Sequence, residues 1–572
     1  MPRHVYLGLT LLCAGALWLA GCGTVPPPGA NSARTPIRGG AKPRPRLDRT
    51  DYSSAAVERR TEAHARYAVA VLHDWDEEPE LAAEEYLKAA LADPGNEPLV
   101  MEVSQRLLQL KHNEQALQLL SKATAQPGAS GLLFARLGLL YSLTGKKDQA
   151  IAASRIAIKK TPGSLGGYRY LAQIYSQAGQ YEEGLKVLDQ AAKQPGLDAA
   201  FLIELGDLYS SYIRPGSSDT VKARAIELFN RAAALKPANP VLLQKLADGF
   251  SVTGKNEQAA QLYEQLLGRF PSLPGLRERL AELYLRQQDR KRAAGQLQEI
   301  IRNNPTNPRA YYVLGSIASE DKKLPEAVDY FNKTILLNPA FEPVYYELSE
   351  VLIRMNKPQD ALAVLEKARN KFPQNFINEF LTALAYGRMK EYTDAIRHFE
   401  GAEIIARATE TNRLTHIFYY QLGSTYERIH KYEEAEKYFR KCLALSPAFS
   451  EGLNYLGYMW AERGVNLPEA RQMIEKAVKL EPKNAAFLDS LGWVLFKLDK
   501  SKEALPHMLK ALENSEEPDS TLYDHLGDIY LSLHQPDQAG EAWRKAITIE
   551  PNEQIQKKLS ALPTAGAHPP HP

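Results

Sequence analysis

From about residue 60 to 560 the chain repeats one block of apolar, small and polar positions. Three copies are "FARLGLLYSLTGKKDQAIAASRIAIKKTP" (134–162), "YYQLGSTYERIHKYEEAEKYFRKCLALSP" (419–447) and "YDHLGDIYLSLHQPDQAGEAWRKAITIEP" (523–551). Each has an aromatic residue, Leu-Gly three residues on, a tyrosine, two small residues and a proline at identical offsets. The first of those two small residues can be walked along the chain: Ala82, Ala116, Ala150, Gly184, Ala225, Ala259, Ala293, Ala327, Ala361, Ala395, Ala435, Ala470, Ala504 and Ala539. The steps are 34 or 35 residues, except for 41 before Ala225 and 40 before Ala435. The block predicts two helices joined by a tight turn. Small residues mark where the pair crosses closely: Gly138, Gly206, Gly315, Gly423, Gly457, Gly492 and Gly527 on the first helix, the walked residues on the second. Bulky neighbours such as Phe229, Phe331, Phe439 and Trp543 fill the space beside them. Prolines such as Pro162, Pro305, Pro447 and Pro551 stop the second helix, because proline clashes with helical continuation.

This frame resembles the tetratricopeptide repeat (TPR) and covers residues 51–562. The resemblance implies an all-α, right-handed superhelical solenoid of about 14 helix pairs. No single unit can bury its apolar stripe alone, so stacked neighbours stabilise one another. The segment "NEQIQKKLSAL" (552–562) reads as a closing helix and 563–572 as a disordered tail. The 41-residue step holds an enlarged turn between paired helices (209–225), and the 40-residue step holds extended helices (401–418). These would divide the array into units 1–4, 5–10 and 11–14.

The amino terminus changes the picture from fold to place. A short basic start precedes an uncharged run from Val5 to Ala20, too short for a bilayer span of about 20 residues. Leu19-Ala20-Gly21-Cys22 resembles a bacterial lipobox. The resemblance implies a signal peptide (1–21) cut before Cys22, with Cys22 acylated. Gly23 stands where an Asp marks inner-membrane retention in that family, which implies the outer membrane, facing the periplasm. Residues 22–50, rich in Pro, Gly, Ser and Arg, cannot bury enough apolar surface to fold and read as a lipidated tether. Its basic residues are either a solvated spacer or a contact for anionic headgroups or cell wall.

Composition adds exclusions. A net charge of +2 gives no bulk basicity for nucleic acid. Of three cysteines only Cys442 lies in the array, so no intramolecular disulfide is available there. Cys442 takes a small-residue slot and reads as a buried structural thiol. "TGKKDQ" (144–149) and "TGKNEQ" (253–258) contain Gly-Lys but lack the earlier glycine and the strand of a phosphate loop; both fall at the turn between paired helices. His525 beside Asp524 and Asp528 reads as polar surface on the last unit's first helix. No catalytic constellation, metal site or cofactor is expected, and no small-molecule substrate.

Function then falls to a surface. In TPR proteins the first helix of each unit lines the groove. Three positions before the small residue stand Tyr312, Tyr346, Phe380 and Tyr420; one position after it stand Tyr458 and Trp493. These form an aromatic ladder suited to apolar or extended peptide, or to sugar rings, or else some of them pack between adjacent helices. Asp207, Asp248, Glu278, Glu282 and Glu350 would make an acidic stretch. The Lys, Arg and Asn set of the carboxylate-clamp TPRs is missing.

The layout resembles periplasmic TPR lipoproteins. It implies a non-enzymatic, lipid-anchored adaptor for envelope proteins or peptides, such as a protease or cell-wall enzyme. The alternative is a pilotin-like assembly factor for a trans-envelope pilus or secretion machine.

Overall fold

A computed structural model describes residues 53–214 and 219–562. The expected signal peptide, Cys22, the tether and the tail lie outside the described residues. Among the described residues there are 29 α-helices and one short 3-10 turn, and no strand. Twenty-eight of the helices form fourteen successive pairs, and the helix Glu553–Ser560 closes the series as expected.

The local causes repeat. Side chains such as Asn96, Ser130, Asp198, Asn239, Asn307, Asn375, Thr415, Asn484 and Asp519 cap first helices by accepting from their leading backbone N–H groups. The turn inside most pairs passes through one residue in the left-handed region. Gly145 (φ 73°) and Gly254 (φ 76°) take it in the two Gly-Lys turns, which settles them as turns. The thirteen walked alanines are each at most 1% exposed. The close crossings leave no room for a side chain: a Cβ on Gly527 would lie 2.5 Å from Trp543 Cδ1, and one on Gly206 2.5 Å from Phe229 Cε1.

The chain divides into two compact units at Pro305 and Thr306, seven pairs to each. This corrects the expected division at the two long steps. The described residues of both insertions are packed rather than loose. In the first, Tyr212 is buried and its hydroxyl donates to the Ala172 carbonyl at 2.8 Å. In the second, a single helix, Tyr392–Thr409, grows to 18 residues and buries Ala402, Glu403 and Ala406; the helix after it, His416–Arg428, has an ordinary 13.

Within each unit, first helices touch the first helices of the next repeat as well as their own partners. In the amino-terminal unit Leu165–Gln177 meets Gly131–Leu143 and Ala199–Ser210, and Ala199–Ser210 meets Pro240–Val252. In the carboxy-terminal unit Ala485–Lys497 meets Ser450–Arg463 and Ser520–Ser532. Each unit therefore owns a wall of first helices, and the expected site residues all lie on those walls.

Candidate functional site

In the amino-terminal unit the expected acidic stretch is interleaved with cations from the same helices. Arg169 donates to Glu204 at 2.6 Å, and Lys245 lies 3.9 Å from the same carboxylate. Asp248 accepts from Arg279 at 2.6 Å and from the Tyr263 hydroxyl. Glu282 pairs with Arg286 at 3.5 Å, while Glu278 is exposed. Asp207 is the exception. Surrounding protein desolvates its carboxyl, Asp248 and Glu204 add negative charge, and its pKa is pushed up to about 6 against the pull of Lys245. The wall is thus an ion-pair ladder carrying one poorly compensated carboxyl, rather than a bare acidic strip. The sequence held the sign of this: Lys245 and Arg279 sit within four residues of Asp248 and Glu278 on the same helices.

In the carboxy-terminal unit the column of aromatics turns inward. Tyr346, Phe380 and Tyr420 are each 8% exposed, and Tyr312 is half-buried. The Tyr312 hydroxyl donates to Glu347, which also accepts from Ser316 at 2.9 Å. Tyr346 donates to Glu342 at 2.8 Å and accepts from Asn375 at 2.7 Å. Phe380 stacks on Phe376 at 5.5 Å and meets Phe399 and Phe418 edge-on or tilted. Tyr420 is wedged against Phe449 and Tyr455, and burial raises its pKa. Glu350 lies half-buried, its pKa raised by desolvation and by Glu347, with Arg354 opposing. These aromatics tie repeat to repeat, and all but Tyr312 are nearly closed off from solvent.

The column changes character in the last three repeats. The same position is held by Asn454, Asp489 and Asp524. There the wall gathers Tyr458, Trp493 and a histidine into one cluster. The Trp493 ring lies 3.9 Å from the His525 ring at an interplanar angle of 15°, and Tyr458 is 6.4 Å from the same ring. His525 Nδ1 is 2.8 Å from Asp489 Oδ1. The expectation of a surface His525 is corrected: it is 5% exposed, because Trp493 covers its face and Asp489 holds its edge. Burial works against the charged imidazolium, but Asp489, Glu462 and Asp524 outweigh it and raise the pKa. On the helices that carry Tyr458 and Trp493, two buried polar atoms have no protein partner: Asn454 Oδ1, an acceptor, on the first, and Trp493 Nε1, a donor, on the second. Lys497 sits 4.7 Å over the Trp493 ring. Asp524 and Asp528 bind Lys558 of the closing helix at 2.8 and 2.7 Å. Sequence reasoning missed Asn454, Asp489 and the burial of His525, although following one column to its end would have placed the first two.

The unmet Trp493 donor thus belongs to a ring that carries a cationic side chain on its face. No group of three His, Cys, Asp or Glu side chains that could hold a metal occurs among the described residues. Cys442 is fully buried, and burial pushes its thiol up to about 12, far from a usable nucleophile.

Family models described as tetratricopeptide repeat match residues 278–340, 381–448 and 455–556. A TPR repeat-containing protein of Pseudomonas aeruginosa is 30% identical over 180 residues, 31% of this chain and 29% of that protein. The type IV pilus assembly protein PilF of the same organism is 26% identical over 136 residues, 24% of this chain and 54% of PilF. The chain thus spans roughly a third to a half of the curated relatives it matches. Among solved structures, the Cut9–Hcn1 hetero-tetramer of the APC/C is similar at 17% identity and a TM-score of 0.39, over 83% of this chain and 95% of that one. With three family-model matches and fourteen helix pairs in register with them, the chain is a tetratricopeptide repeat protein, a scaffold for protein–protein interaction.

Proposed function

We propose that the protein is a non-enzymatic adaptor, anchored through lipid on Cys22 to the bacterial outer membrane and facing the periplasm. It holds an envelope protein or peptide on the first-helix wall of the carboxy-terminal unit, and brings a protease or cell-wall enzyme to its substrate. One observation carries the reading: Trp493 Nε1 and Asn454 Oδ1 are buried and unmet on that wall. Both atoms are closed off from solvent, and a buried polar atom without a partner costs about 1–3 kcal/mol; a bound polypeptide backbone, which offers both an acceptor and a donor, relieves that cost where the covering side chains give way to it. The lipobox-like Leu19-Ala20-Gly21-Cys22 supports the anchor.

The test is capture from crosslinked envelopes, with wild type against Trp493→Phe, which keeps the ring and removes the donor. A second variant changes Tyr312, Tyr346, Phe380 and Tyr420 to Ala, with circular dichroism to check folding. A partner lost with Trp493→Phe supports the wall as the site. A partner kept by Trp493→Phe and lost only with the folded aromatic variant moves the site to the aromatic column. Mass spectrometry of the amino terminus tests the anchor: an acylated Cys22 supports it, an intact Met1 start removes it.

The second reading is an assembly factor for a pilus or secretion pore, favoured by the 136-residue similarity to PilF. It expects loss of a multimeric pore on deletion, whereas the adaptor expects uncleaved protease substrates to accumulate.

A further inference from the structure

The first helix, Ser54–Trp75, has two faces without charge. One packs on its own repeat through Ala56, Ala63 and Ala70, all buried. The other is open to solvent. It runs Val57, Thr61, His64, Ala68, Val71 and Trp75, all exposed, along the length of the helix. The steps are 4, 3, 4, 3 and 4 residues. This is the seam spacing with which one helix meets another along its whole length rather than at a single crossing. No Lys, Arg, Asp or Glu falls on it. The Thr61 hydroxyl already donates to the Val57 carbonyl at 3.0 Å, so covering the seam would not orphan it. Trp75 is 84% exposed, and Leu72 beside it 63%. A tryptophan so placed offers water on the order of 150–200 Å² of side chain.

We propose that this seam is the contact between two copies of the chain, paired antiparallel. Self-complementarity selects the second copy over other occupants. With the two-fold axis at the middle of the helix, Trp75 meets Val57 of the other copy, His64 meets Ala68, and Val71 meets Thr61. Each large side chain opposes a smaller one, and the one unlike pair is close to isosteric. Flanking the seam, Arg60 of one copy comes alongside Asp74 of the other, opposite in charge, where it adds a second cation to a carboxylate that Arg106 and the Tyr86 hydroxyl of its own chain already hold at 2.7 and 2.9 Å. A parallel pair would instead set Trp75 on Trp75, His64 on His64 and Ala68 on Ala68, with crowding at two layers and a gap at the third. Six seam positions a side make a contact smaller than the ~1,600 Å² of a stable standard interface. Pairing is therefore weak in dilute solution and gains where chains are held close together. The proposal uses the first repeat alone and does not rest on the partner-binding wall.

The test is the mass of the whole chain, in a mild detergent with Cys13 and Cys22 changed to Ser, by sedimentation over a dilution series. The expected result is a monomer–dimer equilibrium that Trp75→Glu, at an exposed position, abolishes without changing the helical circular dichroism. The geometry is read by oxidation of Thr61→Cys/Val71→Cys. The two sites lie ten residues apart on one helix, about 15 Å, too far for an intrachain bridge. Cys442 is buried and stays silent. A covalent dimer from the double variant, with little from either single variant, supports the antiparallel pair. A monomer at every concentration overturns the proposal. So does a dimer that survives Trp75→Glu, or equal crosslinking by the single variants. A monomer that dimerises only when residues 23–50 are deleted also overturns it, and gives the seam to the chain's own leading segment.

Discussion

Tyr212 stands where a side chain on residue 184 would be. Its ring carbon Cζ would lie 3.0 Å from a Cβ on Gly184, and its hydroxyl closer still. Gly184 is the one glycine in a column of alanines, and Tyr212 comes from the lengthened turn of the next repeat. The insertion thus fills a space that alanine occupies elsewhere. Tyr212 is held there by its bond to the Ala172 carbonyl and by the Tyr181 ring, edge-on at 6.4 Å.

Gly184→Ala should therefore destabilise repeats 4 and 5 by about 1–3 kcal/mol through overpacking, although alanine is the rule at this position. Tyr212→Leu, which removes the ring and its hydroxyl, should make the same substitution nearly harmless. The measurement is amide exchange in the helices Tyr181–Ala192 and Ala199–Ser210 across the double-mutant cycle. Equal costs in both backgrounds would disprove the coupling.

His525 and Asp489 should make the last repeats sensitive to pH. The folded pKa of His525 is raised, so the folded chain holds this proton more tightly than the unfolded chain. Its stabilisation is complete below the ordinary histidine value of about 6.5 and is lost as pH rises through the higher folded value. Amide protection in Ser520–Ser532 should fall on going from pH 6 into the alkaline range. Asp489→Asn should lower protection at pH 6 and flatten the dependence. A slope that survives Asp489→Asn would assign it to another group.

How much of this could be read from the chain follows from how local each cause is. Residues 82 to 539 of the alanine column give the fourteen pairs, because close crossing is decided by one side chain in each unit. The same logic failed for His525. Its own position looked like surface, and what buries it is Trp493, from the preceding repeat. Partition of the array was misread for a similar reason. Lengthened steps looked like breaks, but Tyr212, Ala402 and Ala406 pack the extra residues into the repeats they interrupt. The aromatic column was found from spacing, yet spacing does not say how far neighbouring repeats cover each ring.

Cys442 should behave as part of the core. Its thiol is buried and pushed up to about 12, mainly by desolvation with Glu451 adding to it. Reaction with a thiol reagent at pH 8 should be undetectable in the folded chain and complete in denaturant. Cys442→Ala should leave a small cavity costing on the order of 1 kcal/mol, and Cys442→Ser should cost more, because its hydroxyl would enter an apolar site. Prompt labelling of the native protein would contradict this placement.

Asp207 carries the last prediction. Its carboxyl is pushed up to about 6, with desolvation as the main cause and the Asp248 and Glu204 charges behind it. A raised carboxyl pKa means that the folded state prefers the protonated form. Stability is therefore fully present below the ordinary aspartate value of about 3.9, and falls as pH climbs through about 6. Neighbouring protein crowds the carboxyl, yet the residue as a whole still lies open to water, which screens the charges around it, so the effect is a direction and not a large energy. Asp207→Asn should raise the neutral-pH stability of the amino-terminal unit and remove the slope between pH 4 and 6. It leaves the Asp248–Arg279 and Glu204–Arg169 bonds in place. Lys245→Met should act oppositely, since it removes the cation that now restrains the shift. Thermal unfolding of the two variants across that range checks both signs. A destabilised Asp207→Asn at neutral pH would mean that the carboxylate is held by its neighbours rather than strained by them.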